Sequence, residues 1–233
     1  MSVNFSSNFS HSKKAIFLTL FLTLTFFASA ISTRAAGELD AAFAGGGITP
    51  APAPNSFAAV SVAVQPDGKI VAGGTYSPSG SFQDSRFALV RYLPSGLIDT
   101  TFGANGLAIT AFGEFNASSL KLNDIALLPN GKIVAVGSGR VPYLSSPSSR
   151  VSLFVARYNS DGTLDTSSGG KYTSSAGGFT TEAEAVAVQA DGKFIVAGHG
   201  GGQLDGNPVP DKILLIRFAD SGIDATFGSN GTV

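Results

Sequence analysis

The sequence has no cysteine and no tryptophan, only one methionine and two histidines, and few charged side chains. Without cysteine it can form no disulfide, no thiolate metal site and no cysteine nucleophile. Charged residues make up 13% of the chain, about half the usual share of roughly 25%, and no basic patch points to a nucleic-acid partner. The hydrophobic content of 43% excludes a disordered chain. Because glycine and phenylalanine are abundant while Glu and Lys are scarce, we expect strands rather than long helices.

The first thirty residues have the pattern of a secretory signal peptide. Lys13 and Lys14 precede the apolar run 15–28, and Ala28-Ser29-Ala30 supplies small residues for cleavage. A membrane-spanning helix needs about 20 apolar residues, so we favour a cleaved signal over an uncleaved anchor, which stays open as the alternative. We predict a signal peptide at residues 1–30, with cleavage as late as 36. The mature chain is then secreted or displayed at the cell surface and has no membrane span.

The rest of the chain repeats itself with a period near 60 residues. An aliphatic-Asp marker recurs at Leu39-Asp40, Ile98-Asp99, Leu164-Asp165 and Ile223-Asp224. An Asp/Asn-Gly-Lys turn and an Arg-aromatic pair recur between these markers in the same order, the turns at 67–69, 130–132 and 191–193 and the pairs at 91–92, 157–158 and 217–218. Long periods of this kind are typical of propellers, solenoids and arrays.

Within one unit the local pattern is that of short strands. Apolar runs flank the Asp/Asn-Gly turns, and we expect type I′ hairpins there with positive φ at both central residues. A third strand ends at the Arg-aromatic pair, and a fourth short strand follows the marker, as at 107–110. No segment has helical period and length. We therefore predict an all-β fold made of β-propeller-type blades of four antiparallel strands.

The stretches AVAVQADGK, ARYNSDGTLDTS and TFGANG resemble the delta-60 repeat of bacterial, mostly secreted proteins. The resemblance covers essentially all of residues 37–233, and it implies a β-propeller architecture and an extracellular setting, with no established activity. The third repeat departs from the pattern, because Ser168 stands where Phe43, Phe102 and Phe227 occur in the other units.

The predicted domain at 37–233 contains three repeats, 39–97, 98–163 and 164–222, and the start of a fourth at 223–233. Propellers typically close with four to eight blades, and the last segment duplicates the first rather than complementing it. We therefore expect an open arc or a fragment of a longer propeller. Uncovered blade edges favour strand pairing, so self-association at the open edges is a predicted interaction.

Residues that recur in every unit are more readily explained by structure than by chemistry. Each recurrent arginine is followed by an aspartate seven or eight residues later, and burying an arginine requires a carboxylate. We interpret Arg91–Asp99, Arg157–Asp165 and Arg217–Asp224 as blade-stabilising ion pairs. The oxygen-rich loop 159–165 is a calcium alternative, although it lacks the spacing and the late Glu of a cation loop. Whether calcium binds there is left open.

The sequence favours no reaction. Only His199 remains after signal cleavage, which excludes sites with several histidines, and it lies in a glycine run unsuited to hold a catalytic base. We predict no catalytic residue, no metal, no cofactor and no enzyme activity. The predicted function is a secreted scaffold or binding module for an extracellular protein or glycan. The alternative is a fragment of a carbohydrate-active propeller enzyme, in which carboxylates of different blades converge.

The repeats differ most at one phase, between the second and third strands of each unit, in segments 75–86, 138–150 and 199–212. Loops of one phase emerge on one face of a propeller, and variable loops on a rigid scaffold are where binding residues concentrate. Aromatic and arginine side chains there suit recognition. The alternative, that they are merely solvated loops, stays open. The predicted ligand-binding residues are Tyr76, Asp84, Arg86, Arg140, Tyr143, Arg150, His199, Asp205 and Asp211.

Overall fold

A computed structural model describes residues 37–49, 56–142, 149–175, 180–204 and 207–233. All strands lie in the compact unit Leu39–Val233. Within the described ranges there is no α-helix, and the three short helices are single 3₁₀ turns at Phe82–Asp84, Gly113–Phe115 and Thr166–Ser168. The predicted all-β class is therefore confirmed. The predictions for residues 1–36, which include the signal peptide and its cleavage site, lie outside the described residues.

The strands form three antiparallel blades in chain order, which do not close into a barrel among the described residues. Blade 1 contains β1 (Phe57–Val64), β2 (Ile70–Tyr76), β3 (Arg86–Tyr92) and β4 (Leu107–Thr110). Blade 2 contains β5 (Ser118–Leu127), β6 (Ile133–Pro142), β7 (Ser149–Tyr158) and β8 (Lys171–Ser174). Blade 3 contains β9 (Thr180–Val188), β10 (Phe194–Leu204), β11 (Asn207–Ala219) and the short β12 (Gly222–Ile223).

The outer edge of blade 3 is completed by the end of the chain. Val233 and Leu215 exchange backbone hydrogen bonds of 2.9 and 3.0 Å, which places 232–233 beside β11 as β4 lies beside β3. Blades 2 and 3 also share one parallel bridge between Val151 and Thr180. The neighbouring strands within each blade are thus consecutive in sequence, as predicted.

The hairpins between the first two strands differ from the predicted type I′ turn. Of the four turn residues 65–68, only Gly68 has positive φ, at 81°, and its N–H donates to the Gln65 carbonyl at 2.9 Å. The next two repeats place Gly131 and Gly192 in the same conformation, while the preceding Asp or Asn does not adopt it. This is a four-residue turn closed by a left-handed glycine. The role of Asp67 is to accept the Lys69 N–H at 3.1 Å.

The hydrophobic core lies between the blades rather than inside one of them. One cluster joins Phe87 and Leu89 of blade 1 to Leu122, Ile125 and Phe154 of blade 2. A second cluster joins blade 2 to blade 3 and contains Leu153, Val155, Val196, Leu214 and Phe218. The third strand of blade 2, β7, therefore buries alternate side chains against both neighbouring blades, as a near-continuous apolar strand requires.

The first strands of the three blades are linked by one carboxylate. Asp124 on β5 accepts the Ser61 hydroxyl of β1 at 2.8 Å through Oδ1 and the Val186 N–H of β9 at 3.0 Å through Oδ2. Because the side chain is only partly exposed, these hydrogen bonds fix the neighbouring first strands in register.

Candidate functional site

The three predicted Arg–Asp pairs are present, and each includes a lysine that the sequence pattern did not assign. In blade 1, Asp99 accepts from Arg91 Nε at 2.9 Å and lies 3.5 Å from Lys69 Nζ. Asp165 and Asp224 repeat the arrangement with the arginine and lysine of their own units, at the distances Arg157 3.3 Å, Lys132 2.9 Å, Arg217 2.9 Å and Lys193 2.9 Å. We call each trio an Arg–Asp–Lys cluster. The lysine follows the turn glycine, so the cluster joins the turn end of β2, β6 or β10 to the marker aspartate.

Two of these clusters also tie one blade to the next. Arg91 Nη1 donates to the Ser160 carbonyl of blade 2 at 2.5 Å, and Gly103 N–H donates to the neighbouring Asp161 carbonyl at 2.7 Å. Arg157 of blade 2 reaches Asp220 of blade 3, through its carbonyl at 3.2 Å and its carboxylate at 2.9 Å. The repeated arginines therefore bind the turn that follows the third strand of the next blade.

The environment keeps these carboxylates ionised. Burial alone would raise the pKa of Asp99, but hydrogen bonds from Thr101 and the charges of Arg91 and Lys69 outweigh it, so its pKa lies below the ordinary value. Asp224 shows the same direction, where the hydroxyl of Thr226 and the ammonium of Lys193 are the main causes of the lowered pKa. A general acid needs a pKa near the working pH, so these aspartates suit structural ion pairs and not acid catalysis.

In the loop 159–165, the alternative calcium site, several oxygens already accept hydrogen bonds from protein donors. Asp161 Oδ1 accepts the Thr163 hydroxyl at 2.7 Å and the Thr163 N–H at 2.9 Å. Asp165 is held in its Arg–Asp–Lys cluster, and the Ser160 carbonyl accepts from Arg91. The loop thus serves as the docking turn for blade 1.

The predicted ligand-binding residues that the structure describes lie on the β2–β3, β6–β7 and β10–β11 hairpins, most of them near the hairpin ends and His199 in the middle of β10. Tyr76 and Arg86 are paired across β2 and β3, and Asp84 Oδ2 accepts the Ser79 N–H at 3.1 Å. Arg140 donates to the Ser149 hydroxyl at 3.1 Å, and Asp211 is on β11 opposite the bulge in β10. Tyr143 and Asp205 lie outside the described residues.

A cleft of about 290 Å³ with both polar and apolar lining residues opens at the β6–β7 hairpin end of blade 2. Of the predicted ligand-binding residues that the structure describes, Arg150 lines this cleft, and it is half-buried. Ser152 and Ser175 share a 2.7 Å hydroxyl–hydroxyl hydrogen bond in its wall. The other lining side chains, which the sequence pattern did not assign, are those of Phe115, Asn116, Val141, Pro142, Thr173 and Ser174.

His199 is brought together with two glutamates that sequence reasoning missed. Glu182 and Glu184 alternate on β9, and Glu182 pairs directly with His199 of β10. The potential ligand atoms of the three side chains lie within 4.8 Å of one another, and His199 Nδ1 is 3.9 Å from Glu184 Oε1. Two carboxylates and an imidazole are a donor set that a divalent transition metal accepts. In the sequence, the Glu-x-Glu alternation is the one signal that could have pointed to this group. Its register with His199 depends on the bulge between β9 and β10, which the sequence does not reveal.

A smaller cavity of about 50 Å³ lies between blades 2 and 3. At the equivalent place between blades 1 and 2, the Phe102 ring lies under Arg91, 4.7 Å from its guanidinium carbon. Ser168 occupies the position of Phe102 in the next loop, which is also two residues shorter. The cavity is lined by Arg157, Gly170, Ala219 and Gly222 together with Val155, Lys171, Tyr172, Phe194 and Phe218. Loss of the phenylalanine therefore explains the gap.

Among the described residues no helix is both long and apolar enough to cross a membrane. A search of the curated proteins finds no match to this chain. A scan of family models matches residues 65–102 and 128–167 to a model described as "Domain of unknown function (DUF5122) beta-propeller". The two matched segments run from the turn of one unit through its Arg–Asp–Lys cluster, in blades 1 and 2 respectively. Family model and fold agree that this chain carries β-propeller repeats.

Proposed function

We propose that the chain is a secreted, non-enzymatic module of the delta-60 repeat type, which acts as an extracellular scaffold and binds a glycan at its variable hairpin ends. The observation that supports this proposal is that the two ends of the blades carry different kinds of side chains. The charged side chains that recur in each unit are committed to the Arg–Asp–Lys clusters, and two of these clusters hold adjacent blades together. The side chains that the structure describes at the variable ends take no part in these clusters.

The lining of the cleft at the β6–β7 hairpin end supports a glycan as the proposed ligand. Its hydroxyl and amide groups can both donate and accept hydrogen bonds, as sugar hydroxyls require, and Phe115 offers an apolar ring beside them. Arg150 adds a planar cation that suits a carboxylate or sulfate. A cleft of about 290 Å³ is near the lower end of ligand pockets, which fits one sugar ring of an acidic glycan.

The carbohydrate-active enzyme alternative requires carboxylates of different blades facing one substrate. Glu182 and Glu184, which do approach each other, belong to one strand and line neither the cleft at the β6–β7 hairpin end nor the cavity between blades 2 and 3. The marker aspartates are each paired with an arginine and a lysine of their own unit. A cleft of about 360 Å³ between blades 1 and 2 is lined by carboxylates of both blades, Asp67 and Asp161. Each of these carboxylates accepts a backbone N–H of its own turn, from Lys69 and Thr163 respectively, which fits a structural role.

Glycan binding is tested by calorimetry with a uronate-containing oligosaccharide and its neutral counterpart. The variant Arg150→Met should weaken binding of the acidic sugar at least ten-fold and leave the neutral sugar nearly unaffected. The Tyr76→Ala, Arg140→Ala, Tyr143→Ala triple variant reports on the rest of this end. Asp191→Ala, at the opposite end of blade 3, is the matched control. Absence of glycan binding, or binding equally strong in both hairpin-end variants, would refute the proposal.

Secretion is tested separately by sequencing the N-terminus of the exported protein. The proposal expects a chain that begins after Ala30, or at the latest after residue 36, in the extracellular fraction. A chain retained in the cell with residues 1–30 intact would contradict it.

A further inference from the structure

Blade 3 exposes a face that the other two blades bury. The side chain four residues before the arginine is fully covered in blades 1 and 2, with Phe87 at 0% and Leu153 at 1% exposure. At the same place Ile213 is 83% exposed. Arg217 shows the same contrast, since no carbonyl of a following turn accepts from it among the described residues, whereas Arg91 and Arg157 each have one.

Blade 1 exposes the complementary face, which in blades 2 and 3 packs against the preceding blade. Val62, five residues before the turn aspartate, is 65% exposed, and Val64 is similarly uncovered. The equivalent residue of blade 2, Ile125, is only 5% exposed, because it packs in the cluster that contains Phe87 and Leu89. In blade 3, Val186 packs against the cluster that contains Leu153 and Val155.

From these two faces we infer that the chain self-associates head to tail, with the Ile213 face of blade 3 docked on the Val62 face of blade 1 of a second copy. We assign a second copy of this chain to these faces because the chain carries both complementary surfaces of one type of interface. That interface already forms twice within the chain, between blades 1 and 2 and between blades 2 and 3. Two such contacts between two copies of residues 39–233 would close a ring of six blades, which is within the usual range of four to eight. Arg217 of each copy would then reach the Pro94 carbonyl of its partner, since Pro94 stands at the position of Ser160.

The chain's own segment 39–49 lies on the turn of blade 1, at Ser95 and Gly96, that this contact would use. Ala44 N–H donates to the Ser95 carbonyl at 2.7 Å, as Gly103 does to Asp161, and Thr49 Oγ1 donates to the Gly96 carbonyl at 2.7 Å. Segments 39–49 and 223–233 have the same Asp-x-x-Phe spacing. Ring closure therefore requires segment 223–233 of one copy to replace segment 39–49 of the other, so segment 39–49 acts as a competitor of association.

Sedimentation equilibrium of the full chain from about 1 to 100 μM tests the inference. The expected result is a concentration-dependent shift from the mass of one chain to twice that mass. Ile213→Asp and Val62→Asp should each remain monomeric at concentrations where the original chain is dimeric. Phe82→Asp, which changes an equally apolar exposed side chain in the β2–β3 loop, should associate normally. A chain that stays monomeric up to 100 μM would overturn the inference.

Mixing the two monomeric variants separates head-to-tail docking from other dimers. The mixture retains one intact contact, between Ile213 of the Val62→Asp chain and Val62 of the Ile213→Asp chain, so a mixed dimer should reappear. A contact between two blade 3 faces would instead leave Val62→Asp fully dimeric, which would overturn the inference, as would a mixture that stays monomeric.

The exchange of segments has its own test. Ala44→Pro removes the N–H that binds Ser95 and is incompatible with the positive φ of 51° at this residue. Losing that hydrogen bond should release segment 39–49 and tighten the dimer about five-fold. Unchanged or weaker association would show that the segment stays seated, and would overturn the six-bladed ring.

Discussion

Replacing Asp99 by Asn is expected to destabilise the protein strongly, because it leaves a buried guanidinium without its counter-charge. The side chains of Arg91 and Asp99 are only 7% and 4% exposed, and Arg91 Nε lies 2.9 Å from the carboxylate. In the variant one carboxylate oxygen becomes an amide nitrogen, which faces donors in either orientation, because Oδ2 accepts from Arg91 and Oδ1 accepts from Thr101. The change is nearly isosteric, so packing is preserved and the effect is electrostatic.

The magnitude follows from the partners that Arg91 keeps. Breaking a buried ion pair by removing one member costs about 3–5 kcal/mol. The guanidinium retains the Ser160 carbonyl at 2.5 Å and the Thr101 hydroxyl at 3.3 Å. We therefore expect the lower end of the range, a loss of about 3 kcal/mol in the free energy of unfolding.

Urea unfolding followed by circular dichroism measures this loss, provided that the slope of the transition is unchanged. Asp165→Asn should give a similar loss, since Asp165 is as buried and also lies in a cluster that contacts the next blade. Asp224→Asn should lose less, because Arg217 is more exposed and contacts no following turn among the described residues. A loss below about 1 kcal/mol for Asp99→Asn would be typical of a surface ion pair. That result would refute the structural role of the clusters and make these charged residues candidates for binding.

Two further predictions concern acid and the cavity between blades 2 and 3. The pKa values of Asp99 and Asp165 are lower in the folded protein than the value of about 3.9 in the unfolded chain, so their stabilisation is complete above about pH 4. It should be lost as the pH falls through the folded-state pKa values, and urea midpoints at pH 7 and pH 3 should differ less in Asp99→Asn than in the original chain. Ser168→Phe combined with insertion of Ala-Asn after Gly169 restores the loop of the preceding unit and should fill the 50 Å³ cavity, raising the free energy of unfolding by about 1 kcal/mol. Ser168→Phe without the insertion is the control, and equal or lower stability of the combined variant would contradict the assignment of the cavity to the missing ring.

The features that the sequence predicts correctly are those that recur within each unit. The Arg–Asp pairs, the strand order and the four-stranded blades follow from one period, because three copies of a pattern with fixed spacing constrain the local topology. The predicted turn type is wrong, because an Asp-Gly dipeptide by itself indicates a two-residue loop. In all three repeats the residue before the turn bonds to the lysine, as Gln65 N–H does to the Lys69 carbonyl, so the loop contains three residues and only its glycine takes positive φ.

The features that the sequence does not predict depend on contacts between units or between distant parts of one unit. Asp124 joins three first strands, but nothing local distinguishes it from other polar residues in a strand. The glutamates that meet His199 are separated from it by 15 and 17 residues, and their register includes a bulge. Lys69 has the sequence context of a turn residue, whereas its ammonium belongs to the cluster of Asp99.

The stacking of consecutive blades through their first strands is the central claim, and a disulfide measures it most directly because the chain has no cysteine of its own. The Ser61 hydroxyl and Asp124 Oδ1 are 2.8 Å apart across blades 1 and 2. In the double variant Ser61→Cys, Asp124→Cys, mild oxidation should give an intramolecular disulfide and, by closing a long loop, about 4 kcal/mol of stabilisation over the reduced form. The control Ser61→Cys, Asn123→Cys should not cross-link, since the Asn123 amide faces Ala183 of blade 3 at 2.7 Å. A disulfide in the control and none in the Asp124 variant would contradict this register between the blades.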